Sequence, residues 1–199
     1  STNANSHSVA QWATVSSSDA PSLTEPDAPI PGAERRLLVA EAISDPVISV
    51  VAVSGPQGTG KTYTAILHIL DEIIKGNVKK LFISRTNIGT GDTNGLIPGP
   101  FAIKMKILMA PIVTSLKKAM RQRKVDPSLA ARILEEVLEI VPADQIRGWN
   151  ISEGEVFLLD EAQNTTDALM RVFMGRVGGC TVVLTGDPTG QPDKPCCLG

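Results

Sequence analysis

The chain predicts an α/β fold, a parallel sheet with helices on both faces. Three observations carry this expectation. Short β-branched runs alternate with stretches of helical periodicity. A glycine-rich loop joins the first such run to the helix that follows it. Polar clusters follow the apolar runs directly, and in parallel sheets ligands bind beyond the C-terminal strand ends.

Residues 1–32 are rich in Ser, Ala and Pro, with prolines at 21, 26, 29 and 31, and show no apolar periodicity. A disordered N-terminal tail is expected there, with the ordered domain over 33–199. Residues 1–34 hold no Lys or Arg and no apolar segment, which argues against a targeting peptide. Glu34–Ile43 reads as a short helix ended near Pro46. Val47–Val53 is β-branched and reads as a buried strand. A helix over roughly 62–75 comes next and ends at Gly76. Leu81–Ser84 is a second strand. Gly89, Gly91, Gly95, Pro98 and Gly99 make 87–100 a loop. Residues 101–124 and 128–141 look helical, separated by Asp126-Pro127. Val156–Leu159 is a third strand, 166–177 a helix stopped by Gly178-Gly179, and Thr181–Leu184 a fourth strand.

Composition excludes several classes. Among 199 residues 42% are hydrophobic, enough for a core, and the net charge of −2 gives no bulk attraction to nucleic acid or anionic membrane. No apolar run reaches the length that spans a bilayer. Three cysteines, two of them adjacent at Cys196-Cys197, give no disulfide framework. With only His7 and His68 beside them, they give no zinc spacing either. Reduced thiols in a cytoplasmic protein are expected.

The chemistry begins at Gly55-Pro56-Gln57-Gly58-Thr59-Gly60-Lys61-Thr62, which matches the phosphate-loop pattern G-x-x-x-x-G-K-[ST] at every fixed position. The glycines let the backbone approach phosphate oxygens. Lys61 supplies positive charge to the β- and γ-phosphates, and the Thr62 hydroxyl can ligate Mg²⁺. Asp160-Glu161 follows four apolar residues, the Walker B arrangement. An aspartate there holds the Mg²⁺ shell, and the neighbouring glutamate can polarise a water for attack on the γ-phosphate. An acidic pair also suits a helix N-terminus, but its position well after a good phosphate loop favours the chemical role.

Charge is unevenly spread. Residues 93–125 contain no Asp or Glu, yet hold Lys104, Lys106, Lys117, Lys118, Arg121, Arg123 and Lys124. This segment is a candidate polyanion contact. The competing reading is a solvated helix face balanced by Glu135, Glu136 and Glu139. Few aromatics are present to stack bases, which argues against sequence-specific RNA reading.

Asp160-Glu161-Ala162-Gln163 has the motif II form of superfamily 1 helicases, and Gly186-Asp187-Pro188 resembles their motif III. The runs Gly55–Thr62, Ile97-Pro98-Gly99, Arg147-Gly148, Leu159–Thr166 and Thr185–Thr189 occur in the same order in PhoH-like proteins, and the chain resembles that family over roughly 33–195. The resemblance implies a RecA-like P-loop NTPase domain that binds ATP and Mg²⁺. It implies a link to RNA or single-stranded nucleic acid, and a homo-oligomer that could close into a ring. It places Asp187 and Gln191 near the γ-phosphate, although Gly190 here separates the glutamine from Thr189. The usual family glutamine ahead of the phosphate loop is replaced by Ala33-Glu34-Arg35-Arg36. The family pattern also continues past Gly199 with an arginine-bearing strand. Arg85 and Arg176 are the arginines expected to touch phosphate, and Arg147 lies near another strand-end loop.

The chain therefore reads as an ATPase with Lys61 and Glu161 as its catalytic pair. A monomeric helicase would need a second RecA-like domain, for which there is no room. The alternative is an ATP-dependent switch with little hydrolysis, which the displaced Gln191 favours. A small-molecule kinase is disfavoured, because no acceptor pocket or lid arginines can be identified.

Overall fold

A computed structural model describes residues 11–15, 32–86, 101–142, 145–146, 152–175 and 180–188, with 11–15, 32–33 and 101–104 described by backbone alone. Every strand pairing among them is parallel. In chain order the elements are β1 (Gln11–Val15), α1 (Gly32–Ser44), β2 (Ile48–Ser54), α2 (Lys61–Lys75), β3 (Lys80–Arg85), α3 (Phe101–Gln122), α4 (Pro127–Arg132), β4 (Leu138–Ile140), β5 (Glu155–Asp160), α5 (Asp167–Met174) and β6 (Thr181–Gly186). The sheet order is β1-β2-β6-β5-β3-β4. The expected α/β architecture with a parallel sheet is thus present, and so are all four strands read from the sequence.

Two further strands were not expected. Gln11–Val15 lies in the stretch read as a disordered tail, yet it pairs along β2, with Val15 opposite Val53. Its residues Trp12, Thr14 and Val15 are strand formers, a signal hidden by the Ser/Pro-rich surroundings. The rest of that tail, up to residue 31, lies outside the described residues. The other strand lies in 128–141, read as one helix, and corrects that reading. Here α4 ends at Arg132, a single π-helical turn covers Ile133–Val137, and Leu138 turns extended at φ −80°, ψ 128°. Leu138–Ile140 then pairs with Leu81–Ile83, and the Val141 N–H donates to the Ile83 carbonyl at 2.9 Å. The apolar spacing of Ile133, Leu134, Val137 and Leu138 suits a helix. Pairing the open side of β3 and burying Val137 and Val141 outweighs it.

Alternation along the strands builds a core on each face. On β5, Val156 and Leu158 face a cluster built with α1, α2 and α3, while Phe157 and Leu159 face the opposite cluster containing Phe173 of α5. Helices thus cover both faces. The Phe157 and Phe173 rings meet at 5.0 Å between centroids.

The packing of α3 on α2 shapes the end of the sheet where α2 begins. Ile112, Leu116, Ala119 and Met120 of α3 are buried in the same cluster as Ile66, Ile69, Leu70 and Ile73 of α2. This is the i, i+4, i+7, i+8 stripe of an amphipathic helix. Arg123 clasps Asp71 with two bonds of 2.6 Å at the foot of the seam. At the end of α2, Gly76 takes a left-handed φ of 84°, and its N–H bonds the Glu72 and Ile73 carbonyls. Leu116→Ala should cost about 2–5 kcal/mol of unfolding free energy in a urea titration, whereas Leu37→Ala on the exposed face of α1 should stay within about 0.5 kcal/mol. Equal losses would show that the α2–α3 seam is not a packed core.

Candidate functional site

The polar ends of β2, β6, β5 and β3 meet at one edge of the sheet, as parallel strands require. After Ser54 the chain leaves β2, and the Gly55 N–H donates to the Gly186 carbonyl at 3.2 Å, tying the phosphate loop to the end of β6. Gly58 and Gly60 take φ of 82° and 81°, and a Cβ at either would meet nothing within 4 Å. The constraint at these positions is therefore backbone conformation and not space. Gly60 is the N-cap of α2 and offers no side-chain cap, so the first-turn N–H groups of α2 face the loop. Lys61 donates from Nζ to the Pro56 carbonyl at 2.8 Å, and Thr59 donates from Oγ1 to the same oxygen at 2.8 Å. The lysine lies folded across its own loop.

Asp160, at the end of β5, is 4% exposed. Its Oδ1 accepts from Thr62 of α2 at 2.7 Å and from Thr185 of β6 at 2.6 Å. Arg85 of β3 places Nε 3.5 Å from Oδ2. Glu161 comes next in a left-handed conformation, φ 55° and ψ 41°. Such a residue carries a cost of roughly 1–2 kcal/mol. Its backbone is held from the end of β3, where the Thr86 N–H donates to the Asp160 carbonyl at 3.1 Å and the Thr86 hydroxyl donates to the Glu161 carbonyl. Arg85 Nη2 stands 3.3 Å from Glu161 Oε1, and Gln163 donates from Nε2 to Oε2 at 2.6 Å. Asp187 accepts at Oδ2 from the Gln57 N–H at 3.1 Å, while its own N–H donates to Gln163 Oε1 at 3.1 Å.

These groups border an open cavity of about 510 Å³. The oxygens of Thr62 and Asp160 are hard donors suited to Mg²⁺, which keeps waters and takes one or two carboxylates together with phosphate oxygens. Among the described residues no group of three or more His, Cys, Asp or Glu could hold a metal unaided. A cation here would need further ligands beyond these two side chains.

Of the residues singled out from sequence, Gly55 to Thr62, Arg85, Asp160, Glu161 and Asp187 come together at this edge. Arg85 faces the two carboxylates. Arg176, Gln191 and Arg147 lie outside the described residues. Gln163, Thr86 and Thr185 were not singled out as site residues. Thr185 and Thr86 carry the signal of a polar residue at the end of a buried strand run. The cavity wall formed by Pro111, Ile112 and Ser115 of α3 had no sequence signal, because it arises from how α3 docks on α2. In the basic segment, Arg123 is taken by Asp71, and Lys118 lies over the Tyr63 ring at 4.9 Å. Glu139, read as a counter-charge to that segment, pairs instead with Lys80 at 2.7 Å. Lys106, Lys117, Arg121 and Lys124 stay exposed. Among the described residues no helix is long and apolar enough to cross a membrane.

Comparison with known proteins finds relatives over most of the chain. The family model described as "PhoH-like protein" matches residues 33–196. A PhoH-like protein of Bacillus subtilis is 34% identical over 143 residues, which is 71% of this chain and 43% of that protein. Protein PhoH of Escherichia coli K12 is 31% identical over 143 residues, covering 71% of this chain and 39% of its own length. The chain therefore spans less than half of the curated relatives it matches. Among solved structures, a large terminase from a thermophilic bacteriophage aligns at 12% identity and a TM-score of 0.48, over 76% of this chain and 38% of that one.

Removing one hydroxyl from the buried carboxylate tests the geometry. Thr185→Val should lower unfolding free energy by about 1–3 kcal/mol, because Asp160 loses a fully buried donor. Thr62→Val, at a partly exposed position, should cost less. A Thr185→Val protein as stable as the parent in denaturant titration would contradict the arrangement.

Proposed function

The chain belongs to the PhoH-like protein family, and on that footing we propose that it binds ATP with Mg²⁺ and hydrolyses it to ADP and phosphate. One observation carries the reading. Asp160 is fixed against Thr62 in the first turn of the phosphate loop's helix, and Glu161 opens into the same cavity. In this reading the loop N–H groups and the N-terminus of α2 hold the polyphosphate. Lys61 leaves the Pro56 carbonyl for the β- and γ-phosphate oxygens. Thr62 and Asp160 would hold the Mg²⁺, which neutralises charge developing on the phosphates. Glu161 takes a proton from water as the water oxygen bonds to the γ-phosphorus and the bond to the β-phosphate oxygen breaks. Asp187 and Gln191 sense the γ-phosphate, and Arg85 and Arg176 are the arginines assigned to phosphate contact.

Coupling to RNA or another single-stranded nucleic acid is part of the proposal, and the exposed cations of α3 support it. So is self-assembly, in a cytoplasmic setting, through which a neighbouring copy would complete the cleft. A second reading, an ATP-dependent switch with little turnover, is favoured by a different observation: both carboxylate oxygens of Glu161 are already engaged, one by Arg85 and one by Gln163.

Turnover separates the two. Glu161→Gln should lower the steady-state rate by about 100-fold or more while ATP still binds, and Lys61→Ala should weaken both binding and turnover. A Glu161→Gln protein as fast as the parent removes the hydrolase and leaves the switch. Single-stranded RNA should raise the parent's rate at low salt and lose its effect as salt rises; an unchanged rate ends the nucleic-acid coupling. Solution mass with ATP should exceed that of one chain, and a strict monomer would end the assembly proposal.

A further inference from the structure

We propose that Gln163 is a positioning residue that orients Glu161 and joins it to the phosphate loop through Asp187. The inference rests on the hydrolase reading and assigns a role to a residue which that reading does not use. Gln163 is 8% exposed, so water does not compete strongly for its amide. Its orientation is set by chemistry. The Asp187 backbone N–H can only donate, so the amide oxygen Oε1 must face it, at 3.1 Å. That leaves Nε2 to face Glu161 Oε2, at 2.6 Å. A flipped amide would set its NH₂ against the Asp187 N–H and its carbonyl oxygen against a carboxylate, losing both bonds.

The same Asp187 that fixes Gln163 accepts the Gln57 N–H at Oδ2, 3.1 Å away. Gln57 belongs to the loop that would wrap the phosphates. Loop, Asp187, Gln163 and Glu161 therefore form one continuous hydrogen-bonded circuit between the phosphate cradle and the proposed base. The two oxygens of Glu161 are held differently. Oε2 is bound to a buried amide anchored on backbone. Oε1 faces the Arg85 guanidinium at 3.3 Å, on a side chain that is 23% exposed. When Arg85 turns towards an incoming phosphate, Oε1 becomes available to water while Gln163 keeps the carboxylate in place. The competing reading makes Gln163 a buried glutamine that merely satisfies the Asp187 N–H.

The two readings differ in kinetics. The parent, Glu161→Gln, Gln163→Met, Gln163→Glu and the double variant Glu161→Gln/Gln163→Met are compared for ATP turnover and, separately, for affinity towards a fluorescent ATP analogue. Positioning predicts that Gln163→Met lowers kcat by about 10- to 100-fold with KM and affinity within about threefold of the parent. Gln163→Glu keeps an acceptor for the Asp187 N–H but sets a second carboxylate against Glu161, so it should be at least as slow. The double variant should be no slower than Glu161→Gln alone, because the effect runs through that carboxylate. The proposal is overturned if either Gln163 variant turns over like the parent, if kcat and affinity fall together, or if the losses multiply in the double variant. Should Gln163→Met fail to fold, the isosteric Gln163→Glu decides alone. A Glu161→Gln protein as fast as the parent removes the hydrolase reading and this inference with it, and only that variant reports such an outcome.

Discussion

The Asp160 carboxylate, buried at the end of the central strand β5, is the constraint on which the site depends. Two hydroxyls converge on its Oδ1, one from α2 and one from β6, and an arginine from β3 approaches Oδ2. Three separate elements are thus referenced to one side chain. A buried carboxylate is costly to leave unpaired, so the polar groups around it cannot drift without penalty. This fixes the first turn of α2, and with it the loop that precedes α2, relative to the β5 end where Glu161 begins. The parallel sheet supplies the edge, and the carboxylate sets the spacing on it.

Around that centre, backbone conformation does what side chains cannot. Left-handed Gly58 and Gly60 turn the loop back over the strand end. Left-handed Glu161 bends the chain out of β5, so that Ala162 to Asn164 form a tight turn beside the cavity. A non-glycine residue holds that conformation only where its surroundings over-determine it. Thr86 supplies that restraint: its N–H and hydroxyl bind the Asp160 and Glu161 carbonyls from the neighbouring strand end.

Much of this was legible in sequence, for identifiable reasons. The phosphate loop and Asp160-Glu161 are local patterns whose chemistry demands particular residues at particular spacings. The strands at 47–53, 81–84, 156–159 and 181–184 were legible because central parallel strands are apolar on both faces. β4 was not, because its helix-like spacing was overruled by the open side of β3, a partner remote in sequence. β1 was masked by composition. Gln163 stood in plain view inside a recognised motif, yet its two partners lie at Glu161 and Asp187, and only the fold brings the second within reach. The α3 wall was illegible for the same reason.

That wall shares its helix with part of the basic segment. Pro111, Ile112 and Ser115 border the cavity, and Lys117 and Arg121 lie further along the same helix of 22 residues, which is about 33 Å long at the usual rise. The chain is pinned just past the end of that helix by the Arg123–Asp71 clasp. Between the wall and the clasp, Ile112, Leu116, Ala119 and Met120 are buried with the apolar face of α2, so the cavity wall and the exposed cations share one helix held on a single core.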